Sequence, residues 1–340
     1  MNSSSLTVFG RRLTTILMCV CLASCAAVGP DYEQPEAPVP DTWGTAQNAG
    51  LLATDYELVE WWEVFDDPTL NRLVEIAHAQ NYNLKLAGLA VLEARAQLGI
   101  AVGAQYPQQQ FISGDVTRIG PSENAGQGDT SFSQYDLSAS LAWEMDFWGK
   151  FRRGIESADA ALQASVANYD DAMVLITAQV VSTYVTIRTL EEQLRIAHEN
   201  LKLQQRSYDI ATVLYKNGQD SELDVQQALS LLLNTQAAVP SLEAQVNLSR
   251  NAMDTLLGQA NGYTETLISE GPIPDVPKQI AVGIPADLLR RRPDLRQAEL
   301  VAVAQNAQVG VATANLYPSI ALTGSLGVFS VSRDVGGGGG

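Results

Sequence analysis

From Ile155 to Asn217 the chain contains neither proline nor glycine, and one apolar stripe runs through it at alternating spacings of three and four. The stripe passes Leu162, Val166, Tyr169, Met173, Ile176, Val180, Thr183, Ile187, Leu190, Leu194, Ala197, Leu201, Gln204, Tyr208, Ala211 and Tyr215. Only Thr183 and Gln204 lack a substantial apolar body. At 1.5 Å per residue such a helix is roughly 90 Å long. No globular core built from 340 residues encloses a rod of that length, so the pattern predicts a coiled coil. Asn217-Gly218 breaks the rod, and Ser221-Glu222-Leu223-Asp224 has the form of a capping box that starts a return helix. The return seam is Val225, Ala228, Leu232, Thr235, Val239, Leu242, Val246, Ser249, Met253 and Leu256. Pro240 is expected to kink it and Gly258 to cap it. The product is an antiparallel hairpin over 147–258, with its tip near Gly218.

Before the rod, Asp67-Pro68 supplies an N-cap followed by proline at the first helical position. Leu70, Leu73, Val74 and Ala77 then form one apolar face. A second helix carries Leu84, Ala87, Val91, Ala94, Leu98 and Ala101, a seam of small residues that permits close helix approach. These helices occupy 67–105, and Tyr106-Pro107 stops the second.

From Gln134 to Met145 the period changes to two. Tyr135, Leu137, Ala139, Leu141, Trp143 and Met145 point one way; Gln134, Asp136, Ser138, Ser140, Ala142 and Glu144 point the other. This suits a tilted barrel strand between lipid and a wet lumen, and equally an ordinary half-buried strand. Phe111 to Ile119 is its partner, giving a strand pair over 106–146. Phe147 and Trp148 suit either an aromatic belt or the packing of a strand-to-helix junction.

A shift of 211 residues carries Leu84, Ala87, Ala96, Gln97, Gly99, Ala101, Tyr106 and Pro107 onto Leu295, Ala298, Ala307, Gln308, Gly310, Ala312, Tyr317 and Pro318. A second copy of helix-then-strand therefore occupies 292–332, after a Pro-rich connector over 259–291. The Gly-rich stretch 333–340 reads as a scar, and the chain as one complete unit with the opening of another.

The N-terminus is a targeting segment. Arg11 and Arg12 precede a short apolar run, Leu13 to Leu22, which ends in Leu22-Ala23-Ser24-Cys25. Charge, apolar run, small residues and cysteine come in the order of a bacterial lipobox, so 1–24 is expected to be removed and Cys25 to carry covalent lipid. Ala26 stands where an inner-membrane retention signal has Asp, which favours the outer membrane. Cys19 and Cys21 leave with the signal, so no free thiol or disulfide remains. Residues 25–66, with Pro30, Pro35, Pro38 and Pro40, read as an extended tether.

Composition excludes other classes. Asp plus Glu is 38 against Lys plus Arg 21, a net charge of −17, which argues against a nucleic-acid binder. No window holds eighteen uninterrupted apolar residues, so no transmembrane helix is expected. His78 and His198, the only histidines, lie on helices without ligand patterns and read as solvated surface residues. There is no phosphate-binding loop and no metal-spaced cluster. Arg290 to Arg292 are expected to pair locally with Asp287, Asp294 and Glu299. No enzyme activity and no cofactor are expected.

The order lipobox, Val28-Gly29-Pro30-Asp31-Tyr32, Trp61-Trp62-Glu63-Val64-Phe65-Asp66-Asp67-Pro68, Asp146-Phe147-Trp148-Gly149 and Ile284-Pro285-Ala286-Asp287-Leu288-Leu289-Arg290-Arg291-Arg292-Pro293-Asp294 resembles the outer membrane factor family. More narrowly it resembles NodT-type efflux lipoproteins, relatives of TolC. The resemblance implies a mixed α/β membrane protein: a long antiparallel coiled-coil stalk in a periplasmic α-barrel, plus strands of a shared trimeric transmembrane β-barrel. It implies a homotrimer that passively conducts solutes expelled by an inner-membrane resistance–nodulation–division transporter through a periplasmic adaptor. It places adaptor docking at Asn217, Gly218, Gln219 and Ser221, and an aperture-narrowing acid at Asp224. Because the family's second helical hairpin is missing from this sequence, the 340-residue chain alone is not expected to conduct. The competing readings are a type I protein-secretion channel and a structural periplasmic coiled-coil lipoprotein; the strand Gln134 to Met145 argues against the latter.

Overall fold

The computed structural model describes residues 27–35, 51–52, 60–120, 132–269, 271–275, 280–281, 289 and 291–333. The signal segment, Cys25, Arg290 and the Gly-rich tail lie outside them. Six α-helices are described: α1 Pro68–Gln80, α2 Tyr82–Gly103, α3 Lys150–Lys216, α4 Glu222–Leu256, α5 Tyr263–Leu267 and α6 Pro293–Ala314. The strands are β1 Leu51–Leu52, β2 Gln109–Ile119, β3 Phe132–Glu144, β4 Ile280–Ala281 and β5 Ala321–Arg333. They fall into two compact units. One comprises Met1–Glu36, Leu92–Ala164 and Ala298–Gly340; the other comprises Ala37–Val91 and Ser165–Gln297.

The helical core lies in the second unit. The Asp67 carboxylate accepts from the Thr69 and Leu70 backbone N–H groups at 2.8 and 3.2 Å and starts α1. The face Leu70, Leu73, Val74 and Ala77 is wholly buried, against Ile176, Val180, Tyr184 and Ile187 of α3 and Met253 of α4. Each such leucine, isoleucine, valine or methionine contributes roughly 1.5–3 kcal/mol when removed from water. Asn81 turns the chain from α1 into α2. Its Oδ1 accepts from the Asn83 and Leu84 N–H groups at 2.8 and 3.1 Å, and its Nδ2 donates to the Leu256 carbonyl at 2.8 Å.

Every predicted seam residue of α2 and α4 is buried or half-buried. The α3 stripe is less regular. Val166 and Tyr215 are exposed, while Ala160, Ala164, Ala167, Val181 and Tyr184 are buried off the stripe, because α3 packs on more than one neighbour. The helix α4 continues unbroken through Pro240. An 18-residue window reaches a mean hydropathy of 1.4 in α2 and 1.3 in α3, so both are long and apolar enough to cross a membrane by composition alone. Most of the α2 window is exposed: Leu86, Leu89, Leu92 and Ile100 face outward.

In the first unit β2, β3 and β5 form one antiparallel sheet in that order. The 211-residue shift carries the bounds of α2, Tyr82 and Gly103, onto those of α6, Pro293 and Ala314. The strands that follow, β2 and β5, flank β3 on opposite sides.

Three expectations need correction. The tether is not loose throughout: Val28 N–H donates to the Trp148 carbonyl at 3.0 Å, and Arg153 holds Val28, Gly29 and Asp31. Leu51 and Leu52 bridge Ile280 and Ala281 in parallel. The connector is partly folded too, because the buried Asp254 carboxylate accepts from the Gly262 and Thr264 N–H groups, both at 2.7 Å, and starts α5. Finally, His78 is not a solvated surface residue. Its Nε2 lies 2.7 Å from Thr177 Oγ1, whose proton goes to the Met173 carbonyl, so His78 is the donor. Trp62 packs edge-on against its ring at 5.7 Å.

Candidate functional site

Side chains alternate along each strand, and residues paired across strands share a face. The registers Ile112↔Ala139↔Leu326, Gly114↔Leu137↔Val328 and Val116↔Tyr135↔Ser330 therefore place most of the strands' aliphatic side chains on one side of the sheet. This side is open to the surroundings, with Ile112 84% and Leu326 83% exposed. The other side carries Ser113, Asp115 and Thr117 from β2, Gln134, Asp136, Ser138 and Ser140 from β3, and Thr323 and Ser325 from β5. Phe111, Ile119, Phe132, Phe329 and Val331 interrupt it. Polar groups there bond to one another: Ser113 and Ser138 hydroxyls at 2.9 Å, Thr117 Oγ1 to Asp115 at 2.5 Å, and Gln134 Nε2 to Asp136 at 2.6 Å. Asp115 stands directly opposite Asp136. The sequence resolved the two faces of β3; only the register shows that β2 and β5 continue them.

Trp148 packs the strand-to-helix junction. Its ring stacks on Tyr317 at 4.6 Å and its Nε1 donates to the Pro318 carbonyl at 2.9 Å. The Asp146 carboxylate accepts from the Phe151 and Arg152 N–H groups at 3.1 and 2.9 Å and opens α3.

The hairpin tip brings its predicted residues together. Gly218 has φ +66°, a left-handed conformation that glycine adopts without strain. Its N–H donates to the Tyr215 carbonyl at 2.9 Å, and Gln219 N–H donates to the Leu214 carbonyl at 3.0 Å, which completes a Schellman cap on α3. Asn217 Nδ2 donates to the Val213 carbonyl at 2.8 Å. A Cβ on Gly218 would meet nothing within 4 Å, so the tip is open. Ser221 caps α4, accepting from the Asp224 N–H at 3.3 Å while its hydroxyl donates to the Asp224 carboxylate. Hydrogen bonds from Ser221, then Asp220, hold the Asp224 carboxyl below its usual pKa.

A groove of about 930 Å³ between α3 and α4 is lined by Glu191, Glu192, Arg195, Glu199 and Arg250 among others. Arg195 is paired with Glu192 and Glu199, and Arg250 with Glu191. Arg292 pairs with Asp294 at 2.6 Å as expected. No cluster of three metal-ligating side chains occurs among the described residues.

The model of the family described as outer membrane efflux protein matches residues 73–259 and 284–339. The chain is 34% identical over 317 residues to nodulation protein T of Rhizobium leguminosarum bv. trifolii, covering 93% of this chain and 67% of that protein. It is 31% identical to the probable outer membrane lipoprotein SilC of Salmonella typhimurium, covering 94% and 68%. The structure superposes on the solved outer-membrane channel OprN with a TM-score of 0.81 and 32% identity, over 91% of this chain and 72% of that one. The chain thus spans about two thirds of the length of the curated relatives it matches. Two strands, a long helical hairpin and a third strand of the same sheet, matched by the family model throughout, make the chain a member of the outer membrane efflux protein family.

Proposed function

We propose that this chain is the outer membrane channel component of a tripartite efflux pump, a passive conduit for small molecules. The observation that carries the reading is the register of β2, β3 and β5. It gathers most of the aliphatic side chains on one face and most of the polar ones on the other, as a wall between lipid and a wet lumen requires. The names of the relatives, among them an outer membrane lipoprotein and an outer-membrane channel, support the compartment.

The rest follows from physical requirements. Hydrocarbon does not tolerate the open edges of a three-stranded sheet, so β2 and β5 must find further strands. Closure by copies of the same chain gives the homotrimer. The exposed apolar side of α2 then meets neighbouring helices in the stalk. Cys25 carries the lipid anchor. The exposed tip Asn217, Gly218, Gln219 and Ser221 is where the periplasmic adaptor docks, and the adaptor links the channel to an inner-membrane transporter of the resistance–nodulation–division class. The Asp224 carboxylate is engaged by its own helix's Ser221, which favours a capping role over an aperture role.

Reconstitution tests the reading. The full-length protein, extracted from the outer membrane in detergent, is expected to run as a heat-modifiable trimer and to give discrete single-channel currents in planar bilayers. A detergent-soluble monomer that gives no currents overturns it.

A further inference from the structure

The segment Ala27 to Asp31 lies in a built seat. The Arg153 guanidinium on α3, 5% exposed, donates from Nε to the Val28 carbonyl at 3.2 Å and from Nη2 to the Gly29 carbonyl at 3.3 Å. The same Nη2 pairs with Asp31 at 2.7 Å, while Nη1 takes Glu156 at 2.8 Å. Asn306 Nδ2 on α6 donates to the Pro30 carbonyl at 2.9 Å.

Three glycines clear the path. A Cβ on Gly310 would come within 2.8 Å of the Arg153 stem, and one on Gly29 within 2.5 Å of the Gly310 Cα. One on Gly149, at φ +78°, would sit 2.4 Å from the Ala27 Cβ. In the first repeat Gly99 occupies the position equivalent to Gly310, and nothing lies within 4 Å of it.

Only Ala26 separates Ala27 from Cys25 in the sequence. The seat adjoins Trp148 and Gly149, at the junction where β3 leads into α3.

We infer that Arg153 is the positioning residue for the membrane anchor, fixing the exit of the acylated N-terminus beside the strand-to-helix junction so that lipid and strands enter the same leaflet together. This rests on the reading of Cys25 as the acylated residue. A fork with several donors suits the task, since one lysine ammonium cannot reach two carbonyls and two carboxylates at those angles.

The test uses the full-length protein expressed in a bacterial envelope. Three quantities are read: acyl mass on the peptide that begins at Cys25, hydrogen exchange of the Val28 amide, and the carbonate-resistant outer-membrane fraction. In Arg153→Ala, acylation is expected to be unchanged, Val28 exchange to rise at least tenfold, and the inserted fraction to fall at least fivefold. Arg153→Lys is expected to fall between. A second variant leaves Arg153 untouched and inserts ten Gly/Ser residues between Cys25 and Ala27, which frees the anchor by roughly 17 Å. It is expected to lose insertion to a similar degree with Val28 still protected. If Val28 stays protected in Arg153→Ala, the seat is wrong. If the linker variant inserts as well as the parent, the positioning role is wrong even should Arg153→Ala fail to fold. An unmodified Cys25 in the parent overturns the anchor reading itself, while the Val28 comparison still decides the seat.

Discussion

The Tyr184 hydroxyl on α3 donates at 2.5 Å to the second oxygen of Asp67, whose first oxygen caps α1. Arg188 donates to the same hydroxyl from Nε at 3.1 Å and Nη2 at 3.0 Å, and to the Ser269 carbonyl and Glu191 from Nη1. One phenol thus joins the start of α1, the middle of α3 and the segment after α5. Tyr184→Phe keeps the ring packing and removes a hydrogen bond to a charged acceptor, so it should cost about 1.5–3 kcal/mol. Burial, then the bond to Asp67, pushes the Tyr184 pKa from near 10 up to about 12. Its folded pKa is raised, so its contribution is complete below pH 10 and lost as pH rises towards 12. Urea unfolding at pH 8 and at alkaline pH reads both effects, and the Phe variant should lose this part of the alkaline destabilisation.

His78 supplies the acid counterpart. Burial between Trp62 and Thr177 lowers its pKa, which keeps the ring neutral in the fold while the unfolded chain takes up a proton below about pH 6.5. Stability should therefore fall as pH drops below 6.5. Thermal midpoints at pH 7.5 and 5.5 measure it. The difference should shrink in His78→Gln, and an undiminished difference would assign the acid sensitivity to other groups.

The two faces of the sheet predict opposite responses to the same substitution at adjacent positions. Leu137→Arg puts a charge on the apolar face midway along β3, at a cost of about 2–4 kcal/mol in the bilayer midplane. Ser138→Arg puts it on the polar face and gives up only the 2.9 Å bond to Ser113. The yield of folded protein in the outer membrane should drop severalfold for the first and little for the second. Equal losses would contradict the assignment of faces.

At the tip, Gly218→Asn keeps a residue that tolerates φ +66°, whereas Gly218→Trp fills the open space above the turn. Both variants should assemble. Only the Trp variant should abolish transporter-dependent resistance in a susceptibility assay. Normal resistance with Trp in place would remove the tip from the docking surface.

Asp224→Asn separates capping from gating. It retains side-chain hydrogen bonding and removes the charge that favours the start of α4. A slight loss of helix stability with unchanged single-channel conductance is expected; raised conductance would give Asp224 the aperture role instead.

What the sequence determined by itself is whatever depends on local period and local chemistry. The three-four spacing of Val225 to Leu256 named the buried side of α4 residue by residue, and Asp67-Pro68, Gly218 and Ser221 marked helix ends, because caps bond within a few residues. The 211-residue repeat anticipated α6 almost to its first residue. Only the tertiary structure decided which strand lies beside which, since register depends on backbone bonds between distant segments; it alone set Asp115 opposite Asp136 and Leu326 beside Ala139. It also decided the roles of Arg153, Tyr184 and Arg188. Each has a partner 81 to 125 residues away, and no local pattern distinguishes a charge that will be buried against distant carbonyls from one that will stay in water.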